Sequence, residues 1–273
     1  MRRLVAIWAL NGVLAAASLL ALLPLLWMVS ASFMPAGAAS SYPPPWWPAE
    51  PTLAHYRHLL GEGGIGRAFL NSLGVACAAT AVSTLLNAAA GHAFAKLRFP
   101  GRDRLFALLL AALVIPGQVA MLPLFLMLKE MGLVNSWAGV LVPSLAGIFG
   151  IFLVRQVARG IPDELLEAAR MDGAGELHIF ILVMLPLLRP VLATLAVLAF
   201  LGSWNDFMWP LIVLTDGDLH TLPVALASMT REHVQDIEMM MAGAVITVLP
   251  VLVLFLALQR HYLQGLLMGS VKG

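Results

Sequence analysis

Three groups of residues have types and spacings that bear on chemistry. Gly61-Glu62-Gly63-Gly64-Ile65-Gly66 satisfies the G-x-G-x-x-G pattern, in which glycines let backbone N–H groups at a helix start approach a pyrophosphate. Such a site needs a buried strand ahead of it, yet HYRHLL stands there. Arg67 and Ala68 also occupy the places of the Lys and Ser/Thr of a phosphate-binding loop. These glycines are therefore read as a flexible entry to a membrane helix. His55 and His58 share a helical spacing without further ligands, and no H-E-x-x-H or G-x-S-x-G occurs, so neither a metal site nor a catalytic residue is assigned. The segment IPDELLEAARMDGAGEL, residues 161–177, is different: Asp163, Glu164, Glu167, Arg170 and Asp172 place five charges in ten residues of an otherwise apolar chain. The third group is Ser203-Trp204-Asn205-Asp206. Asp206 either faces a cavity on a transport path or sits at the membrane interface, and Asn205 and Asp206 are the candidate translocation residues.

The elements that must hold these residues follow from composition. Of 273 residues 60% are hydrophobic and 11% charged, with a mean hydropathy of +0.89. A water-soluble domain carries about 25% charged residues, so most of this surface faces lipid. A net charge of +1 gives no nucleic-acid signal. Cys77, the one cysteine, excludes an internal disulfide and lies in an uncharged stretch, which predicts a packed rather than a reactive thiol.

A hydrocarbon core takes about 20 apolar residues of helix. Residues 4–49, 68–95, 105–128, 131–154, 190–205 and 239–259 contain no Asp, Glu, Lys or Arg. The first helix is expected to stop near Phe33, ahead of the interfacial SYPPPWWP at 41–48, and the fifth to run from about 187 to 213. Six spans result. The first apolar run is too long for a signal sequence, whose core is about 7–15 residues, and is read as a retained helix. With the N-terminus inside, Arg2, Arg3, Lys96, Arg98, Arg102, Arg104, Arg155, Arg159, Arg170, Arg189, Arg260 and Lys272 fall on the cytoplasmic side, against Arg57, Arg67, Lys129 and Arg231 outside. Twelve against four predicts both termini in the cytoplasm. Among the outer segments, 214–238 is acidic, with Asp216, Asp218, Glu232, Asp236 and Glu238 against Arg231. Within the second span, Asn71, Asn87 and His92 stand among Gly74, Ala78, Ser83 and Gly91, a composition suited to close helix packing.

The connection at 155–189 is long for a bundle of this kind, and long connections are more often functional. Its charged part reads as a short helix. Pro162 suits a first helical position, Asp163 and Glu164 complement the positive helix start, and Leu165, Leu166 and Ala169 form one apolar side. Asp172-Gly173 ends it in a turn, because glycine accepts positive φ. A rod of about 15 Å with an acid-rich face suits docking on another protein; interfacial membrane helices are usually basic instead.

Glu167-Ala168-Ala169, then Asp172-Gly173-Ala174, then Leu185-Pro186 resembles the EAA loop of bacterial ABC importer permeases. NDFMWPLIVLTDGDLHTLPVAL at 205–226, QGLLMGSVKG at 264–273 and FAKLRFPGR at 94–102 are similar to segments of the carbohydrate-type members, so the resemblance covers nearly the whole chain. It implies an all-α, six-span, type I ABC importer permease fold, of the maltose or glycerol-phosphate kind. The first span and outer loop would be 1–66, the five-helix core 67–262 with the coupling loop at 155–189, and a cytoplasmic tail 263–273. It implies that Glu167, Ala168, Ala169, Asp172, Gly173 and Pro186 couple to a separate ATPase. The implied partners are a second permease in a heterodimer, two ATP-binding subunits holding ATP and Mg, and an extracytoplasmic solute-binding protein; this chain would hold no cofactor. The implied role is transport of a sugar or related polar solute across the bacterial inner membrane, without enzymatic chemistry. Gly175-Glu176-Leu177-His178 lacks the basic residues often found there in relatives. A second reading, an ion-coupled secondary transporter, predicts repeated halves and midplane charges, and the centres of spans two, three, four and six lack charges.

Overall fold

A computed structural model describes residues 2–61, 64–232 and 236–267, and among them every regular element is helical. In chain order these are α1 (Arg2–Ala31), α2 (Ala54–Leu60), α3 (Ile65–Lys96), α4 (Arg102–Ala112), α5 (Gly117–Glu130), α6 (Trp137–Leu141), α7 (Ile148–Arg159), α8 (Asp163–Met171), α9 (Glu176–Ile179), α10 (Leu185–Trp204), α11 (Met208–Val213), α12 (Leu222–Glu232) and α13 (Ile237–Leu267). A π-helical turn, Phe180–Met184, joins α9 to α10. Four helices are long and apolar enough to span a membrane unbroken: α1, α3, the continuous Glu176–Trp204, and α13. Two bent pairs, α4 with α5 and Trp137–Ser144 with α7, bring the number to six if each pair is one span.

The chain turns by 105° between Ala112 and Gly117. Pro116 lacks an N–H and disfavours helix at Ile115; Val114 and Ile115 instead donate to Ala111 and Ala112, three residues back. Similarly, the fifth span runs from Glu176 to Trp204 rather than from 187 to 213. Its start is earlier because the helix begins at Glu176, an acid in the first turn that complements the positive helix end. Its end is earlier because the Asn205 amide donates back to Leu201 O at 2.9 Å, and the chain kinks before α11.

The chain divides into two units. The first comprises residues 1–66 and 225–250. Ala31, Met34 and Ala39 form its core with Trp27, Ile237 and Met241 packed against them. The segment after α1 folds back: Trp27 Nε1 donates to Pro45 O and Ser32 Oγ meets Tyr56 Oη at 2.7 Å. Glu238 departs from expectation. It is fully buried at the start of α13, its Oε1 accepting from Ala39 N at 2.6 Å, so it is a structural acceptor and not part of an exposed acidic surface. His55 likewise bonds Met34 O at 2.9 Å.

The second unit comprises 67–224 and 251–273. One core joins α3, α7, α8 and the fifth span through Ala88, Val154, Ala158, Leu166, Ile179 and Met184. The other joins α3, α5, α6 and α11 through Val75, Leu128, Val140, Trp209 and Val213. Close approach depends on glycine, as the small-residue composition of α3 predicts. A Cβ added at Gly91 would stand 2.6 Å from Val154 Cβ and Cγ1. Asn87 Oδ1 accepts from Gly147 N at 3.0 Å, and the Asn71 amide donates to Asp218 O and His220 O. His92 is buried against the Phe180 ring. Cys77 contradicts its reading, since it is exposed on α3 and packs into neither core.

Candidate functional site

The charged segment folds as expected, with its boundaries refined. Pro162 is the N-cap in an extended conformation (φ −59°, ψ 135°) rather than the first helical residue, and α8 begins at Asp163. Asp163 and Glu164 occupy the first turn and Arg170 the last, each sign at the helix end it complements. At the other end Gly173 takes φ +84°. Gly173 N donates to Arg170 O and Ala174 N to Ala169 O, each at 3.0 Å, which is the Schellman closure that needs a left-handed residue. The Asp172-Gly173-Ala174 triplet is thus a helix stop.

Only one stripe of α8 is inward. Leu166 is 1% exposed, and Ala169 and Ala174 pack against the same core. Leu165, expected on that side, is 47% exposed, because it sits about 100° round the helix from Leu166. The outer surface carries Glu164, Leu165, Glu167, Ala168, Met171 and Asp172. Met171 is 89% exposed.

Two ties that local sequence does not announce hold the rod. Lys96 Nζ, from the end of α3, donates to Ile161 O and to Asp163 Oδ1, both at 2.5 Å, with the lysine side chain 5% exposed. The hydrogen bond and charge of Lys96 hold the Asp163 carboxyl below its ordinary range. Arg170 donates Nε to Glu176 Oε1 at 2.7 Å and Nη2 to Oε2 at 3.3 Å, and that bond raises its own affinity for the proton. Lys96, Arg98, Asp163, Glu167, Arg170 and Glu176 border a cleft of about 600 Å³. Its sequence signals are the basic residues of 96–104 and the charges of 161–177; the pairings themselves span 67 and 6 positions.

Pro186 lies elsewhere. It is exposed on α10, in a continuous helix that starts at Glu176, so the connecting loop ends at Gly175 and not at 189. The π turn precedes it, with Leu185 N reaching Phe180 O, an irregularity of the kind that accommodates a helical proline.

A second cavity, of about 380 Å³, lies in the same unit and is bordered by Ser83, Met121, Ser144, Ser203, Asp206 and Trp209. Asp206 stands in the kink between α10 and α11, where Oδ1 accepts from Trp209 N at 3.3 Å. Trp209 is held by its own Nε1–H on Gly139 O at 3.1 Å. The cavity therefore sets three hydroxyls, one carboxylate and an indole in a wall that is otherwise apolar, with Leu124, Val140 and Pro143 on it. Asn205 is exposed and does not border it.

Of the glycine fingerprint, Glu62 and Gly63 lie outside the described residues. The neighbouring Gly61 follows a helix, α2, and no strand. Among the described residues no group of three His, Cys, Asp or Glu is arranged for a metal ion.

A family model described as "Binding-protein-dependent transport system inner membrane component" matches residues 85–267. The chain is 37% identical over 273 residues to the arabinooligosaccharides transport system permease protein AraQ of Halalkalibacterium halodurans, covering 97% of this chain and 96% of that one. It is 35% identical over 204 residues to the lactose transport system permease protein LacG of Rhizobium radiobacter, covering 75% and 74%. To the osmoprotective compounds uptake permease protein GgtD of Synechocystis it is 37% identical over 233 residues, covering 83% and 78%. A crystal structure of a bacterial ABC transporter involved in import of the acidic polysaccharide alginate contains a similar fold, with a TM-score of 0.83 at 24% identity over 96% of this chain and 98% of that chain.

Proposed function

The chain belongs to the family of binding-protein-dependent transport system inner membrane components, and from that premise we propose that α8 is the helix through which a separate ATPase drives it. It is a multi-pass membrane permease subunit of an ABC importer with the type I fold, a transport subunit and not an enzyme. The observation that carries the proposal is the state of α8. It is a short rod tied at both ends to the body of its unit, and Glu167, Ala168 and Asp172 face outward. A rod held by its ends transmits displacement; a loose loop would absorb it. Gly173 supplies the closing turn, and Ala169 the small inward contact. Pro186 shapes the helix that leaves this loop, at a distance of ten helical residues from its start.

On this reading ATP and Mg reside on two partner subunits, and this chain binds neither. A second, non-identical permease completes the path, and an extracytoplasmic binding protein delivers the solute to the side bearing 214–232. The excess of basic residues on the opposite side supports cytoplasmic termini. The substrate class we assign is an oligosaccharide, since relatives carry arabinooligosaccharides and lactose by name. The cavity at Asp206 suits that class: hydroxyls and a carboxylate exchange hydrogen bonds with sugar hydroxyls, and Trp209 offers an apolar wall.

The test is reconstitution of the full complex in vesicles, with uptake of candidate oligosaccharides measured with ATP and with an ion gradient alone. Uptake that needs ATP and the binding protein is expected. Uptake driven by the gradient alone, the ion-coupled alternative that family membership does not favour, would reject the proposal.

A further inference from the structure

Charge is unevenly distributed around the start of α4. Arg98, Arg102, Arg104, Arg155 and Arg159 occur there around one acid, Asp103, and Arg98 also borders the α8 cleft, where its charge reaches Asp163. Arg102 Nε lies 3.1 Å and Arg155 Nη2 3.7 Å from its Oδ1, and Arg159 acts on the same carboxylate. Two of these arginines are committed to the fold. Arg102 donates Nη1 to Leu97 O at 3.2 Å. Arg155 donates Nε to Phe94 O at 3.2 Å and lies 3.9 Å from the centre of the Phe106 ring. Arg98, Arg104 and Arg159 are exposed and form no ion pair with a described side chain.

Geometry makes a receptacle of this cluster. Gly101 turns the chain with φ +79°, and segment 98–104 folds round a cleft of about 490 Å³ bordered by Arg98, Phe99, Arg102 and Arg104, with the carboxylate of Asp103, already paired to Arg102, on the same border. The same helix then presents Leu105 and Leu108, 50% and 68% exposed, followed by Ala112. These stand at i, i+3 and i+7, a stripe leading away from the arginines. Guanidinium groups beside an apolar stripe match a molecule with an anionic head and hydrocarbon chains. A guanidinium presents paired N–H donors to phosphate oxygens, and basic clusters flanking membrane helices attract anionic lipids.

We propose that the cleft at 98–104 holds the phosphate headgroup of an anionic phospholipid, whose chains lie along Leu105 and Leu108. An acidic protein surface would satisfy the charge but leave no hydrocarbon against the stripe.

The test uses the assembled complex, with its second permease and ATP-binding subunits, in discs of phosphatidylcholine containing or lacking phosphatidylglycerol. Retained lipid is read by native mass spectrometry, so the result does not depend on transport. The wild type is expected to retain phosphatidylglycerol selectively. Arg98→Gln with Arg104→Gln, which removes neither fold-committed arginine, is expected to lower that retention at least tenfold with assembly unchanged, and Arg98→Lys with Arg104→Lys to lower it less. Equal retention by wild type and the Gln pair would overturn the proposal. So would protection of Arg98 and Arg104 from guanidinium-specific modification by inorganic phosphate alone, which would mark a free-anion site. A cross-link from position 98 to an ATP-binding subunit in place of retained lipid would overturn it in favour of a protein contact.

Discussion

Gly173 and Glu167 act through different physics, and their variants should separate. A Cβ at Gly173 meets nothing within 4 Å, so a side chain there costs only the left-handed backbone, about 1–3 kcal/mol. That penalty falls on the cap of α8 and not on a core. Gly173→Arg should therefore insert at normal levels and lose uptake, whereas Gly173→Asn, which tolerates positive φ, should keep it. Glu167 is exposed, so Glu167→Lys should leave this chain intact. It should weaken the ATPase contact by about 2–5 kcal/mol if a basic partner is left buried and unpaired. Membrane level, ATPase co-purification and uptake, measured together, check both; normal uptake with the ATPase bound would reject the coupling role. Lys96 is a positioning residue. Lys96→Met removes the donor to Ile161 O and the charge beside Asp163, and should speed amide exchange across 163–171 and lower uptake while membrane levels hold. The tie also has a predictable pH range. Because the Asp163 carboxyl is depressed in the folded protein, its contribution is present above the ordinary carboxylate pKa and lost as pH falls through the lower folded value. Protection of the α8 amides, their exchange relative to the intrinsic rate at the same pH, should stay flat from about pH 8 to 5 and fall only under stronger acid.

At the scale of elements, the contact between α3 and α7 is where packing is least forgiving. Gly91→Val would drive a branched side chain against Val154 and Arg155 N, which a Cβ at Gly91 would already approach to 2.6 and 3.0 Å. Overpacking of this kind costs about 1–3 kcal/mol. Gly117 has nothing within 4 Å of an added Cβ, so Gly117→Ala serves as the control. Thermal unfolding in detergent should show a lowered midpoint for the first variant and none for the second. The result also bears on α8, whose Leu166 is seated in the core that α3 and α7 share. Loss of that seat should reduce uptake further than the loss of folded protein explains.

For the whole molecule, orientation is the open prediction. Cys77 is exposed and must first be replaced. Single cysteines at Thr215 and Arg98 should then divide: an impermeant reagent should label the first in intact cells and the second only in opened vesicles. Labelling of position 98 from outside would reverse the assignment. A cross-linker at Asp218 should capture the binding protein during turnover. The position tolerates the change: its pair with Arg67 at 2.6 Å is more than 60% exposed on both sides, worth at most about 1 kcal/mol. Its backbone is held independently by Asn71. Capture of lipid alone would remove 214–232 from the docking surface.

Hydropathy and charge placement sufficed for the all-helical membrane class, since burial of backbone groups in lipid leaves an apolar run no alternative to helix. They sufficed also for the α8 rod and its stop at Gly173, because caps and left-handed turns are set by neighbours within one or two turns. Where helices bend was only partly local: Pro116 is visible in the sequence, but the 105° turn and the kink at Asn205 are not set by composition. Tertiary structure alone decided which polar residues meet. Glu238 reads as one acid of an acidic loop, yet the chain brings Ala39 N to it across 199 positions. Lys96 reads as one of many basic residues at a membrane edge, until α3 and α7 pack and set it between Ile161 and Asp163. Asp206 becomes part of a cavity with Ser83 and Ser144 for the same reason. Such pairings depend on where separate helices end relative to one another, and no periodicity within a single helix contains that information.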